Sequence, residues 1–225
     1  MDFTKYVALL NSGGLHFARG DKLGDPFEGS TNQLAQVSFA EQLRSAGIHN
    51  VDRLPDDVLK NNRLSTYVNC WHMSDHESVA MWKIYGLRND AIAVQSSYAK
   101  LRDSLPESVY LSAIRYIDYT TTPVYFGNFM NPIVHKRVSF AYEKEVRAFL
   151  TPPGIYDEEN YRDGQVLRQP PVSHHIEVDL SNLVDRIYIS PDAPVWLEDL
   201  VSAITMKLGF GFSIHRSDLS TDPVF

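Results

Sequence analysis

The run HKRVSFAYEKEVRAFL, residues 135–150, gathers the residue types that acid–base and anion chemistry require. If Tyr142 to Leu150 is extended, Glu143, Glu145, Arg147 and Phe149 share one face, and Lys144, Val146, Ala148 and Leu150 the other. A helix would instead pair Glu143 with Arg147 at i, i+4 on an exposed surface, which needs no function. The Phe and Val content, and Pro152-Pro153 just beyond, favour the strand. Two acids and an arginine on one strand face are costly unless paired or solvated. They then either line a groove, with His135, Lys136 and Arg137 nearby, or neutralise one another in a salt-bridge network. A groove of this kind suits an anionic substrate held for acid–base or electrostatic chemistry. On that reading Glu145 is the candidate catalytic carboxylate, Glu143 its partner, and Lys136, Arg137 and Arg147 the anion contacts.

Two further stretches carry candidate chemistry. In LHFARGDKLGDPFEGS, residues 15–30, Asp25-Pro26 is a turn initiator whose acid can cap the turn, whereas Glu28 has no such local role. Either Phe27 plugs the core while Asp25 and Glu28 satisfy backbone donors or an arginine, or both acids stand on the rim of a cleft. In NCWHMSDHESVAMWKIYG, residues 69–86, His72 and His76 have the i, i+4 spacing of helical metal ligands, but a strand exit and Ser74 intervene. No tight metal-ligand motif is present. Cys70 with His72 suggests a nucleophile and base, although a lone cysteine in an apolar strand is most often a small buried hydrophobe. Trp82 and Tyr85 are core residues by default, with polar tips that would suit a pocket wall.

Around these pieces the hydrophobic spacing lays out the elements. Phe3, Tyr6, Val7 and Leu10 predict a helix over 3–10, ended by Ser12-Gly13-Gly14. Leu15–Ala18 reads as a strand, Gln33–Ala46 as a helix capped at Gly47, and Pro55-Asp56-Asp57 opens a short helix or turn. Leu64–Trp71 reads as a central strand. Ser74 with Glu77 resembles a capping box opening the next helix, on which Ala80, Met81, Ile84 and Tyr85 share a stripe and Gly86 is the cap. Strands are expected over 90–95, within 109–119, and over 142–150, 175–180, 186–190 and 211–215. Helices are expected around 97–105 and over 196–208. Pro152 to Ser173, rich in Pro, Gly and acids, is expected to be a loop or insertion, with a lid as one use. Strands and helices mix without regular βαβ alternation, so the expected fold is α+β, with a mixed, largely antiparallel sheet and flanking helices in a single domain spanning 1–225.

Composition sets the outer limits. A chain of 225 residues with 44% hydrophobic and 22% charged residues should bury roughly 70% of its unfolded surface without staples. One cysteine, Cys70, excludes an internal disulfide framework and fits a reducing compartment. The apolar run at the N-terminus is too short for a signal peptide, and no stretch approaches the ~18 apolar residues of a membrane span. The expectation is a cytoplasmic protein with no membrane partner. A net charge of −7 argues against a general nucleic-acid binder.

These pieces resemble the bacterial domain-of-unknown-function family DUF2971. The likeness rests on MDFTKYVALL, FARGDKLGDPFEGS, CWHMSDHESVAMWKIYG, AIAVQSSY, RYIDY and HKRVSFAYEKEVRAFL in that order, from Met1 to Ser217, and is weakest from Pro152 to Ser173. It implies no activity. Where family members more often carry an aromatic after Leu15, this chain has His16. A remoter similarity is to ADP-ribosyltransferases, which present an early His or Arg, a middle strand with aromatic and hydroxyl residues, and a late catalytic Glu. The corresponding residues here are His16 or Arg19, Ser65-Thr66-Tyr67, and Glu143-Lys144-Glu145.

That similarity implies NAD as the substrate. Lys136, Arg137 or Arg19 would meet its pyrophosphate, Glu145 would stabilise the oxocarbenium-like centre, and Tyr67 or Trp82 would stack on the ring. Three functions stay open at this point. One is a transferase acting on an anionic, nucleotide-like ligand. Another is a non-catalytic binding or effector module in bacterial stress response or phage defence, with the DPFE loop and the Glu-rich strand forming a recognition cleft or homo-oligomer surface. The last is a metal-dependent hydrolase or nuclease using Asp25, Glu28, Glu143 and Glu145.

Overall fold

The computed structural model describes residues 1–48, 56–86, 89–125, 128–153, 161–162, 165–166, 168–221 and 223. In chain order the first elements are α1 (Phe3–Ser12), β1 (Gly14–Arg19), α2 (Gln33–Ser45), α3 (Asp56–Ser65), β2 (Tyr67–His72), α4 (Val79–Tyr85), β3 (Ile92–Gln95) and α5 (Tyr98–Ser104). Next come β4 (Tyr110–Ala113), β5 (Arg115–Ile117), β6 (His135–Arg137), β7 (Glu145–Leu150), β8 (Tyr161–Arg162) and β9 (Gln165–Val166). The chain continues through β10 (Ser173–Glu177), α6 (Leu180–Leu183), β11 (Arg186–Ile189), α7 (Val195–Lys207) and β12 (Ser213–Arg216). The α+β class follows the expectation, with the main sheet in the order β10-β1-β2-β7-β4. Its pairs β1–β2, β2–β7 and β7–β4 are antiparallel.

Two compact units divide the chain, each assembled from separated segments. The first comprises Met1–His16, Ser74–Glu107 and His175–Phe225; the second comprises Phe17–Met73 and Ser108–His174. In the first, α1 is capped by Asp2, which accepts from the Lys5 N–H, and ends at Gly13 in the left-handed region. Its buried Tyr6 exchanges a hydrogen bond of 2.7 Å with Thr205 of α7. A small sheet, β12-β11-β3, pairs β11 parallel to β12 and antiparallel to β3.

The second unit holds β2, β7 and β4. All six residues of β7 are buried, so it reads as the central strand of this unit, covered on both faces. One face is fixed by the register. Val68, Phe149 and Tyr110 stand across from one another, then Cys70, Arg147 and Ser112, then His72 and Glu145. That face therefore grades along the strands from an apolar end to an ionic one. At the apolar end Val68, Ile133 and Phe149 form a core cluster with Leu23, Met130 and Val134 against it.

Several boundaries differ from the expected ones for identifiable reasons. The strand expected from Leu64 starts at Tyr67, because Leu64 and Ser65 complete α3, with the Ser65 hydroxyl donating to the Asn61 carbonyl. The strand expected from Tyr142 starts at Glu145. Residues Val138–Glu143 instead form a 3-10 turn, and Lys144 leaves it at φ 41, redirecting the chain. Ser78, not Ser74, caps α4, and the Glu77 carboxylate is occupied by the Trp82 indole and the Asp218 N–H. Consequently the buried residue of α4 is Trp82, while Ala80, Ile84 and Tyr85 are exposed. Leu180 opens α6 under an Asp179 cap instead of ending a strand. Pro55 and much of the expected 152–173 loop lie outside the described residues; within that loop β8 and β9 pair antiparallel.

Candidate functional site

The ionic end of the β7 face is closed by the DPFE loop. Asp25 accepts from the Phe27 N–H, and the Glu28 N–H donates to the Asp25 carbonyl. Gly29 follows at φ +71, where a Cβ would stand 2.8 Å from Arg63 Cγ, and its N–H donates to the Pro132 carbonyl. Only a glycine takes this turn without cost, and the turn aims Glu28 inward. Asp25 and Glu28 are each 2% exposed, so neither stands on a rim. Phe27, by contrast, is 42% exposed and does not plug the core.

Inside, the Arg147 guanidinium joins three partners. Nε donates to Glu145 Oε1 at 2.8 Å, Nη1 to the Ile133 carbonyl at 2.7 Å, and Nη2 to both Glu28 and Glu145. A planar fork of five N–H groups can satisfy such a set where an ammonium cannot. Lys136 continues the chain: its Nζ lies 3.4 Å from Glu28 and from Glu145 and bonds Glu143. Tyr116 accepts the Glu145 backbone N–H through its hydroxyl at 2.8 Å. Four acids (Asp25, Glu28, Glu143, Glu145) thus meet three bases (Lys136, Arg137, Arg147), and each acid has a cation on it.

Burial opposes the charges on Glu145, Lys136 and Arg147, and the partners decide the outcome. Desolvation works against the Glu145 carboxylate, but Arg147, Cys70 and Lys136 outweigh it, and its pKa falls below the ordinary value. Desolvation likewise works against the Lys136 ammonium, and Glu143, Glu145 and Glu28 together raise its pKa. Tyr119 is pushed up to about 12 by burial and then by Asp25 and Glu28. Glu145 is thereby a fixed anion near neutrality, suited to holding a charge in place and unsuited to exchanging a proton.

The outer side of this network is aromatic. Arg137 clasps Asp25 bidentately, Nε to Oδ2 at 2.9 Å and Nη2 to Oδ1 at 2.8 Å. Its guanidinium lies 4.5 Å from the Phe27 ring centre and 5.5 Å from that of Phe140. Phe27 meets Tyr119 edge-on at 5.6 Å. The Arg137 side chain is 38% exposed, and among the described residues no hydrogen bond uses its Nη1.

Not every expected residue joins this site. Arg19 is 3% exposed, and its guanidinium bonds Asp21 and the Pro170 carbonyl. Tyr67 donates to the Pro171 carbonyl at 2.8 Å. It stands five residues along β2 from His72, the residue opposite Glu145, which at the usual strand rise is about 16 Å. His16 is an exposed residue of β1, and Trp82 is buried in the first unit with its indole on Glu77. His72 Nδ1 bonds the Glu143 carbonyl, an acceptor, so that nitrogen carries the proton. Cys70 is exposed as a residue, while its sulfur is crowded. Desolvation raises the thiol pKa, Arg147 opposes this, and Glu145 and Glu28 add to the rise, so the thiol stays neutral and makes a poor nucleophile. Among the described residues no group of three His, Cys, Asp or Glu is placed to hold a metal, and no helix is long and apolar enough to cross a membrane.

Sequence reasoning missed Tyr116, Tyr119 and Phe140, which frame the network. The first two fall in the alternating stretch over 109–119, where strands were expected without a partner being indicated; Tyr116 lies on β5 and Tyr119 in the turn after it. No protein-family model, curated protein or solved structure matches this chain, so the functional reading rests on the geometry.

Proposed function

We propose that the second unit is a non-catalytic binding module for a planar, anionic, nucleotide-like ligand. The ligand rests on the Arg137 surface, and the buried ions behind it act as the scaffold. The observation that carries this reading is the state of Arg137. Asp25 holds the guanidinium in one orientation over Phe27 and Phe140, Nη1 has no bond among the described residues, and the side chain is 38% exposed. A base can stack on the exposed Phe27 ring while a phosphate oxygen accepts from Nη1. Because the Asp25–Arg137 pair is electrically neutral, stacking and directed hydrogen bonds supply the affinity, and its dependence on salt is shallow.

Glu145 supports binding over transfer. At 5% exposure, held by Arg147 and Lys136, it has neither the access nor the free lone pairs that an attacking or proton-accepting group needs. The test is a calorimetric titration of the purified protein with ADP-ribose, beside an assay of nicotinamide release from NAD. Saturable ADP-ribose binding with no release supports the module. Release that depends on Glu145 would replace it with an ADP-ribosyltransferase, and no heat with ADP-ribose together with no release would remove both.

A further inference from the structure

At the opposite, apolar end of the same β7 face lies a cavity of about 230 Å³. Its wall combines Ile133, Phe149, Met130, Phe129 and Tyr110 with the polar side chains of Asn62, Thr66 and Thr151. The ring of Tyr110 is stacked on that of Phe149 at 5.9 Å between centres, and both residues line the space. No charged residue lines it.

The polar groups are the informative part. Asn62 and Thr66 are 2% and 4% exposed. They sit one helical turn apart, the Thr66 N–H donating to the Asn62 carbonyl at 3.1 Å. The Asn62 side-chain nitrogen is identified by its bond to the Phe129 carbonyl at 3.0 Å, which leaves Oδ1 as an acceptor. Among the described residues neither Asn62 Oδ1 nor the Thr66 hydroxyl has a partner within the chain, and neither is sealed from the cavity. Open to the cavity, the two atoms offer an acceptor and a hydroxyl about one helical turn apart to whatever occupies it, water or ligand.

We infer that this cavity is a second binding site, independent of the Arg137 surface, for an uncharged single-ring aromatic compound bearing an adjacent donor and acceptor, such as a lactam or amide. The ring lies against Phe149 and Ile133, its N–H donates to Asn62 Oδ1, and its carbonyl accepts from the Thr66 hydroxyl. Size supports a single ring: a dry cavity of about 150 Å³ accepts benzene, and sites for drug-sized molecules begin near ~300 Å³. Charge supports neutrality, since an anion or cation here would be desolvated with no counter-ion.

The probe is 2-pyridone, compared with N-methyl-2-pyridone, which lacks the donor, and with benzoate, which carries a charge. In two-dimensional amide NMR of the isotopically labelled protein, 2-pyridone at about 10 mM, enough for millimolar affinity, is expected to shift Asn62, Thr66, Tyr110, Phe149 and Thr151. The N-methyl compound should bind about fivefold or more weakly, as should 2-pyridone to Thr66→Val, a change that keeps shape and removes the hydroxyl. The wild-type shift map needs no variant, so poor folding of Thr66→Val leaves the test intact. Absence of shifts, shifts centred elsewhere, or equal binding of benzoate and 2-pyridone would overturn the inference.

Discussion

Arg147 and Glu28 lie 119 residues apart in the chain and meet as a buried hydrogen-bonded ion pair, 0% and 2% exposed at their side chains. Through it the DPFE loop is fastened to the central strand of its unit. Glu145 and Lys136 extend the chain of charges to Glu143 at the partly exposed edge. A removed partner strands the others in a poorly solvated place, so this network specifies the loop position more than it adds net stability.

Substitution of Arg147 should be the costliest single change in the network. Arg147→Met keeps the bulk but leaves Glu28 and Glu145 buried without their main donor, an expected loss of about 3–5 kcal/mol in urea unfolding. Glu28→Gln keeps the shape and removes one charge, with an expected loss of about 1–3 kcal/mol. Arg147→Lys should not rescue, because a single ammonium cannot reach Glu28, Glu145 and the Ile133 carbonyl together. An Arg147→Met protein within about 1 kcal/mol of wild type would show that the charges are effectively solvated.

Stability should fall at both pH extremes, and the direction of each shift gives the sign. The folded-state pKa of Glu145 lies below its ordinary 4.5. Its contribution is therefore complete above that unfolded value and is lost as pH falls through the lower folded value. The folded-state pKa of Lys136 lies above its ordinary 10.5, so its contribution is complete below 10.5 and is lost as pH rises through the folded value. Urea unfolding between pH 3 and pH 6 should show stability rising with pH, with a smaller slope in Glu145→Gln. An unchanged slope in that variant would contradict the assignment.

Much of this was legible in the sequence, and the limits are physical. Phe and Val content, with Pro152-Pro153 beyond, identified β7, and the spacing of Phe3, Tyr6, Val7 and Leu10 identified α1, because local periodicity reports a buried helix face. The grouping of Asp25, Glu28, Glu143, Glu145, Lys136, Arg137 and Arg147 was also expected. Mutual neutralisation was among the alternatives, but which cation serves which acid was not, since register between distant segments leaves no local trace: Lys136 and Arg137 are adjacent yet serve different acids. The 3-10 turn before β7 was missed because Lys144 takes a left-handed backbone that its residue type does not advertise. Asn62 and Thr66 as cavity-lining groups carried no sequence signal either, since Thr66 was expected on a strand beginning at Leu64 and the end of α3 that sets the two one turn apart lies inside that stretch.

Lys144 offers a local check on that turn. It holds φ 41 as the 3-10 turn gives way to β7, and its carbonyl accepts from the Met73 N–H at 2.8 Å. A β-branched residue tolerates this conformation poorly, so Lys144→Val should lose about 1–2 kcal/mol, whereas Lys144→Gly should be within about 0.5 kcal/mol of wild type or more stable. Equal stability of Val and Gly in chemical denaturation would place the residue in an ordinary extended or helical conformation.

The most direct measurement is ADP-ribose affinity by calorimetry in two variants, one on the surface and one within the network. Arg137→Gln removes the proposed anion contact and should weaken binding about tenfold or more, while Glu145→Gln, with its fold verified by circular dichroism, should stay within about threefold of wild type. The reverse pattern, binding kept in Arg137→Gln and lost in folded Glu145→Gln, would contradict the account and return Glu145 to the centre of the site.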